Sequence, residues 1–293
     1  DRWQEKWDNL PTIKGSLSDG LLKALDTKPK VEQKVDITNP EAYEFYLKAK
    51  HKYAKRENTD DTEIARGLLN KAIELDDNLI RAKTLLGTTY VEMGDYDKAM
   101  DIYTSALQQA EVIGDKQGMG VTLRNIGNVY YYQGDYDKAL DYYGRSLTIQ
   151  EELGDKPGMG TSLVNIGIAH HDKGDLDTAL DYYTRSLAID EELGNKHGMG
   201  NSLLNIGIVH ADKGDYEKAL DYYGRSLAIK EEIGDKSGMG MALGSIGIMH
   251  GQKGDYEQAL DYFTRSLAIA EELGDKRGMG YSLVNIGIVH ANK

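Results

Sequence analysis

The chain has 293 residues, 48 acidic against 35 basic, a formal net charge of -13 and no cysteine, a length that fits two ordinary domains or one long repeat array. Without cysteine there can be no disulfide, thiolate nucleophile or Cys-ligated metal centre, and the redox compartment stays open. The acidic balance argues against a dedicated nucleic-acid or anionic-membrane binder, and no stretch reads as a signal peptide or an apolar membrane span.

In chain order, residues 1–39 differ in composition from the rest. Both tryptophans, Trp3 and Trp7, lie here. Leu21, Leu22 and Leu25 mark a short predicted helix, followed by a charged, proline-containing linker from Asp26 to Val35. Residues 40–79 read as a degenerate helical hairpin. Tyr43, Tyr46, Leu47 and Ala49 would line its first helix, and Ile64, Ala65, Leu68, Ala72 and Ile73 its second, with the polar insertion Arg56 to Asp61 between them.

From residue 80 the glycines become periodic. Of 33 glycines, 28 lie at or after Gly114. Gly127, Gly167, Gly207, Gly247 and Gly287 form one series, Gly94, Gly134, Gly174, Gly214 and Gly254 another, and Gly114, Gly154, Gly194, Gly234 and Gly274 a third, each with a step of 40. A step held this strictly is an internal repeat, with units 80–119, 120–159, 160–199, 200–239 and 240–279 and a partial unit 280–293. In one unit, Leu163, Ile166, Gly167 and His170 share a helical face, and Leu176, Ala179, Leu180, Tyr183 and Leu187 share another. Lys173-Gly174-Asp175 supplies a helix stop and a helix start between them. Each unit is therefore predicted as two helices of about 14 and about 18 residues by this periodicity, no stretch alternates well enough for a strand, and the fold class is all-α.

These positions carry a resemblance. Leu86, Gly87, Tyr90, Gly94, Tyr96, Ala99, Tyr103 and Ala106, and in the next unit Leu123, Ile126, Gly127, Tyr130, Gly134, Tyr136, Ala139, Tyr143 and Ser146, fall on the motif of the tetratricopeptide repeat. The sequence departs from that motif in having glutamate (Glu151, Glu191, Glu231) where a closing proline is usual, and in six added residues. It is similar in this to kinesin light chains, Pins-type polarity proteins and bacterial regulators. The resemblance covers roughly residues 80–293. It implies an α-solenoid, a right-handed superhelix of helical hairpins, with a binding groove lined by the first helices. The N-terminal segment also resembles the region preceding such arrays in bacterial signalling proteins. A chain that opens without Met and stops inside the first helix of a unit reads as a piece of a longer protein.

The Gly-rich run Gly154 to Ser162 lacks the lysine and the preceding strand of a phosphate loop and recurs in every unit, so turns are expected there. His170, His210, His250 and His290 are one per unit, too far apart at helix-packing distances of roughly 10 Å to share a metal, and they stand where Tyr90 and Tyr130 stand. Glu151-Glu152 and its copies point about 100° apart on a helix and are expected to solvate the outer surface. No catalytic constellation is confined to one place, so neither enzyme activity nor a cofactor is expected.

By the family's pattern the groove would be lined by Arg81, Arg124, Asn125, Asn128, Tyr131 and Tyr132 early and by Asn165, Ile168, Asn205, Ile208 and Asn285 later. In related arrays the asparagine equivalent to Asn125 bonds the backbone of a bound peptide, and an amide can both donate and accept. Val164, Leu204, Ile248, Val284 and Ile288 make the later wall apolar. The expected function is a noncatalytic scaffold that binds a protein or peptide segment, apolar with acidic residues toward the early end. A cytoplasmic location, with no nucleic-acid or membrane partner, goes with it. Alternatives are the sensory or regulatory region of a signalling enzyme such as a nucleotide cyclase, and self-association through the C-terminal end, where Tyr281, Leu283, Ile286, Ile288 and Val289 lack a polar capping helix.

Overall fold

In the computed structural model residues Glu41–Lys293 form one compact unit. The structure describes residues 39–56 and 58–293. Apart from Asn39, the helix and linker expected within residues 1–39 lie outside the described residues. Among the described residues there are thirteen helices and no strand. Helices α1 (Pro40–Ala54) and α2 (Thr59–Leu75) come first. Then follow α3 (Ile80–Glu92) with α4 (Tyr96–Ile113), α5 (Lys116–Tyr132) with α6 (Tyr136–Leu153), and α7 (Lys156–Asp172) with α8 (Leu176–Leu193). The last are α9 (Lys196–Asp212) with α10 (Tyr216–Glu232), α11 (Lys236–Lys253) with α12 (Tyr256–Leu273), and α13 (Lys276–Asn292).

The helix ends follow from local chemistry. Ten glycines, from Gly94 to Gly274, have positive φ and stop a helix where an L side chain would be strained. After Gly114 the amide of Asp115 returns to the Ala110 carbonyl at 2.9 Å, closing the last turn of α4. The Asp115 carboxylate then accepts from the Gly118 amide at 2.9 Å and caps α5, as Asp155 caps α7 through Gly158 at 3.1 Å. One residue thus closes one helix and opens the next.

This early capping corrects the reading of the Gly-rich runs. Only Gly154 makes a turn; Gly158 and Gly160 are inside α7, which has 17 residues rather than about 14. A side chain at Gly158 would collide with the capping carboxylate of Asp155 and crowd Gln150 at 3.0 Å. Gly160 has a different role: its carbonyl accepts from the buried Ser186 hydroxyl of α8 at 3.1 Å, a contact within the hairpin rather than between neighbouring repeats.

The core repeats with the sequence. Tyr143 fills the space above Gly127, where an added Cβ would sit 2.6 Å from the ring, and Tyr183 and Phe263 do the same over Gly167 and Gly247. Ala139, Tyr143, Leu163 and Ile166 form one buried cluster that spans two successive hairpins. Each second helix from α4 onward packs on its own first helix and on the first helix of the next hairpin. Burial of a Leu or Ile side chain contributes about 1.5–3 kcal/mol, so every hairpin is stabilised by its neighbours.

Candidate functional site

The first helices α3, α5, α7, α9 and α11 each touch the next first helix, whereas no second helix from α4 onward touches the next second helix among the described residues. First helices therefore lie on the tighter radius and form the inner wall. Arg81 stands on α3, five of the expected groove residues on α5, Asn165 and Ile168 on α7, Asn205 and Ile208 on α9, and Asn285 on α13. All are partly buried except Tyr132, which is exposed.

Early in the array α1, α3 and α5 enclose an open cavity of about 560 Å³ lined by Tyr46, Arg81, Thr88, Gln117, Arg124 and Asn125 among others. That size lies in the usual range of ligand pockets, about 300–1,000 Å³. Arg81 donates to Gln117 Oε1 at 3.3 Å. Burial pushes Arg124 below the usual arginine range, with Asp155 opposing at a distance. Tyr46 is pushed up by burial, partly offset by Arg81. Buried Tyr103 is pushed up to about 12 by burial, against a bond to Thr88. Arg81, Arg124 and Asn125 were legible from the repeat register. Tyr46 reads from the sequence only as a residue lining its own hairpin and Gln117 carries no mark of its own; their signal is only their place on helices facing the same space.

Further along, Asn128 Oδ1 accepts from Tyr143 at 2.8 Å and from Asn165 Nδ2 at 3.2 Å, which ties α5 to α7. Asn285 donates within its own helix, to the Tyr281 carbonyl at 3.0 Å. Asn125 and Asn205 have no hydrogen-bond partner among the described residues. The row therefore divides into two amides engaged with each other, one turned to its own helix, and two available to a ligand.

At the far ends of the first helices a polar chain links successive hairpins. Tyr131 donates to Asp172 Oδ2 at 2.5 Å, and burial together with that carboxylate raises its phenol. His171 places Nδ1 3.2 Å from Asp172 and Nε2 2.7 Å from Asp212 on α9. Burial alone would lower the His171 pKa, but the bonds to Asp212 and Asp172 outweigh it and raise it. Tyr132 lies edge-on to Tyr131 at 5.6 Å and stacked with Tyr96 at 6.3 Å.

The isoleucine row is less open than its sequence implies. Ile168 and Val164 pack against the cluster around Tyr183, and Leu204, Ile208 and Ile248 against the cluster around Tyr223. Of this apolar wall only Val284 and Ile288, both on α13, are exposed. His170, His210 and His250 stack on Tyr182, Tyr222 and Tyr262 at 5.3–5.6 Å, with the arginine three residues beyond each tyrosine close to that ring. Among the described residues no three His, Asp or Glu side chains converge on a metal position. One glutamate of each pair also has a role: Glu152, Glu192, Glu232 and Glu272 bind Lys116, Lys156, Lys196 and Lys236 across the hairpin.

A tetratricopeptide repeat family model matches residues 78–152, 118–192 and 158–232, and a second one residues 242–277. No curated protein matches the sequence. Among solved structures, the apo form of RapI is similar with TM-score 0.68 and 19% identity over 87% of this chain and 82% of that one. A Rap protein solved with competence and sporulation factor gives TM-score 0.67 and 18% identity over 92% and 74%. A signal transduction ATPase with a tetratricopeptide repeat sensor from Pyrococcus horikoshii gives TM-score 0.67 and 19% identity, covering 86% of this chain and 41% of that one.

Proposed function

The chain belongs to the tetratricopeptide repeat family, and from that premise we propose that it is a noncatalytic scaffold holding a peptide or protein segment against the inner wall of its first helices. The observation that carries the reading is the pair of unengaged groove amides, Asn125 and Asn205, standing on a wall that also offers Arg81 and Arg124 at its early end. An extended peptide presents alternating donors and acceptors, and a carboxamide answers both. Half-buried Ile168 and Ile208 add apolar contact between the amides. The Rap protein solved in complex with competence and sporulation factor is a fold-level parallel for partner binding.

Replacing Asn125 and Asn205 together by alanine should weaken binding of a segment recovered from the native host by about tenfold or more, at roughly 1 kcal/mol per lost hydrogen bond, with the melting temperature little changed. Unaltered affinity would sink the assignment. A cytoplasmic location belongs to the same proposal; among the described residues no helix is long and apolar enough to cross a membrane. A second reading, self-association through α13, is favoured by the exposure of Tyr281, Leu283, Val284 and Ile288 on that helix.

A further inference from the structure

The cavity between α1, α3 and α5 has a charge that the rest of the chain does not explain. The protein carries a net charge of -13, and its other arginines are largely matched: Arg56 with Glu92, Arg66 with Glu63, and Arg145, Arg185, Arg225 and Arg265 with the aspartate four residues before each. Arg81 and Arg124 have no carboxylate within ion-pair distance among the described residues, yet both line one cavity. Asp155, which caps α7 through the Gly158 amide, acts on Arg124 only from beyond ion-pair distance. Placing a guanidinium in a partly desolvated site without a carboxylate in direct contact is costly. An anion brought by a ligand would offset that cost.

We propose that this cavity binds the phosphate monoester of a phosphorylated side chain on the partner segment, through the guanidinium groups of Arg81 and Arg124. The choice of anion follows from charge and oxygen count. A carboxylate brings one charge and two oxygens, which a single arginine fork satisfies. A phosphate monoester brings about -1.5 to -2 charges and three acceptor oxygens at pH 7, which match two guanidiniums. Asn125, Gln117 and the Tyr46 hydroxyl stand as further donors in the same lining. The source follows from continuity: Arg124 and Asn125 belong at once to the cavity and to the groove wall of α5, one turn before Asn128. The inference rests on the proposed groove function, which it makes specific for a modified partner.

The test uses the full chain in calorimetric titrations at pH 7.5 with three probes. They are a degenerate peptide library carrying a central phosphoserine, phosphothreonine or phosphotyrosine, the same library with glutamate at that position, and phenyl phosphate. The phosphorylated library should bind at least tenfold more tightly than the glutamate library. That ratio should collapse in Arg81→Gln and in Arg124→Gln, persist partly in Arg124→Lys, and stay intact in Arg225→Gln, whose arginine is paired with Asp221 away from the cavity. It should shrink at pH 5, below the second phosphate pKa near 6. Equal binding of both libraries would overturn the choice of phosphate, and phenyl phosphate binding as tightly as the library would overturn the peptide source. Failure of the groove reading is distinguishable: an Asn205→Ala variant that binds both libraries unchanged removes the groove and leaves the arginine-dependent ratio standing. Circular dichroism melting of each arginine variant separates loss of binding from loss of fold.

Discussion

Gly127 and Gly287 hold the same place in their helices, and a methyl group added to each meets opposite surroundings. At Gly127 it would lie 2.6 Å from the Tyr143 ring; at Gly287 nothing lies within 4 Å. Gly127→Ala should therefore destabilise the chain by about 1–3 kcal/mol through overpacking. Gly287→Ala should stabilise it by up to about 1 kcal/mol through helix propensity alone. Urea denaturation of the two variants checks the contrast, and equal effects would refute the packing account. The sequence showed that these glycines are periodic but not that Tyr143 is the reason, because the ring and the glycine meet only when the hairpin closes. Gly158 makes the same point: its neighbour is a capping carboxylate three residues away, and the spacing alone reads as a loop.

Between elements, the ends of α7 and α9 are joined by one imidazole. A neutral histidine has a single N–H to donate, so an imidazole flanked by Asp172 and Asp212 is served best by its protonated form. Its folded pKa is raised accordingly, with Tyr131 adding a hydrogen bond to Asp172 and no cation. The sign follows from linkage: stability from a raised histidine is fully present below its unfolded pKa of about 6.5 and is lost as pH rises through the folded value. His171→Gln should thus lower the melting temperature more at pH 5.5 than at pH 8.5, and a pH-independent difference would argue against the bridge. From sequence, His171 was one more imidazole beside the ladder of His170; its partner Asp212 is 41 residues away and becomes visible only with the register of neighbouring repeats.

For the array as a whole, the decisive comparison is between α13 and its internal copies. Leu163 is 1% exposed beneath α8, while Leu283, in the same repeat position, is 53% exposed. If association runs through this face, light scattering by the full chain should rise with concentration, and Leu283→Glu with Ile288→Glu should abolish the rise. A concentration-independent signal in the wild type would dismiss the second reading. The inner wall is likewise a property of the array: among the described residues first helices touch one another from α3 onward and second helices do not.

The 40-residue step, the Gly-Asp punctuation and the motif residues Leu86, Tyr90, Ala99 and Tyr103 determined the family and the helical-hairpin architecture without coordinates. They could do so because caps and amphipathic faces are local in the chain, and repetition makes a local signal unmistakable. Which groove residues stand together was decided only by tertiary structure. Tyr46, Arg81 and Arg124 come from three different helices, Asn128 is engaged by Asn165 from the next hairpin, and Ile168 and Ile208 are half covered by their neighbours. Those facts depend on the angle and spacing between hairpins, which side-chain packing sets and no single repeat encodes.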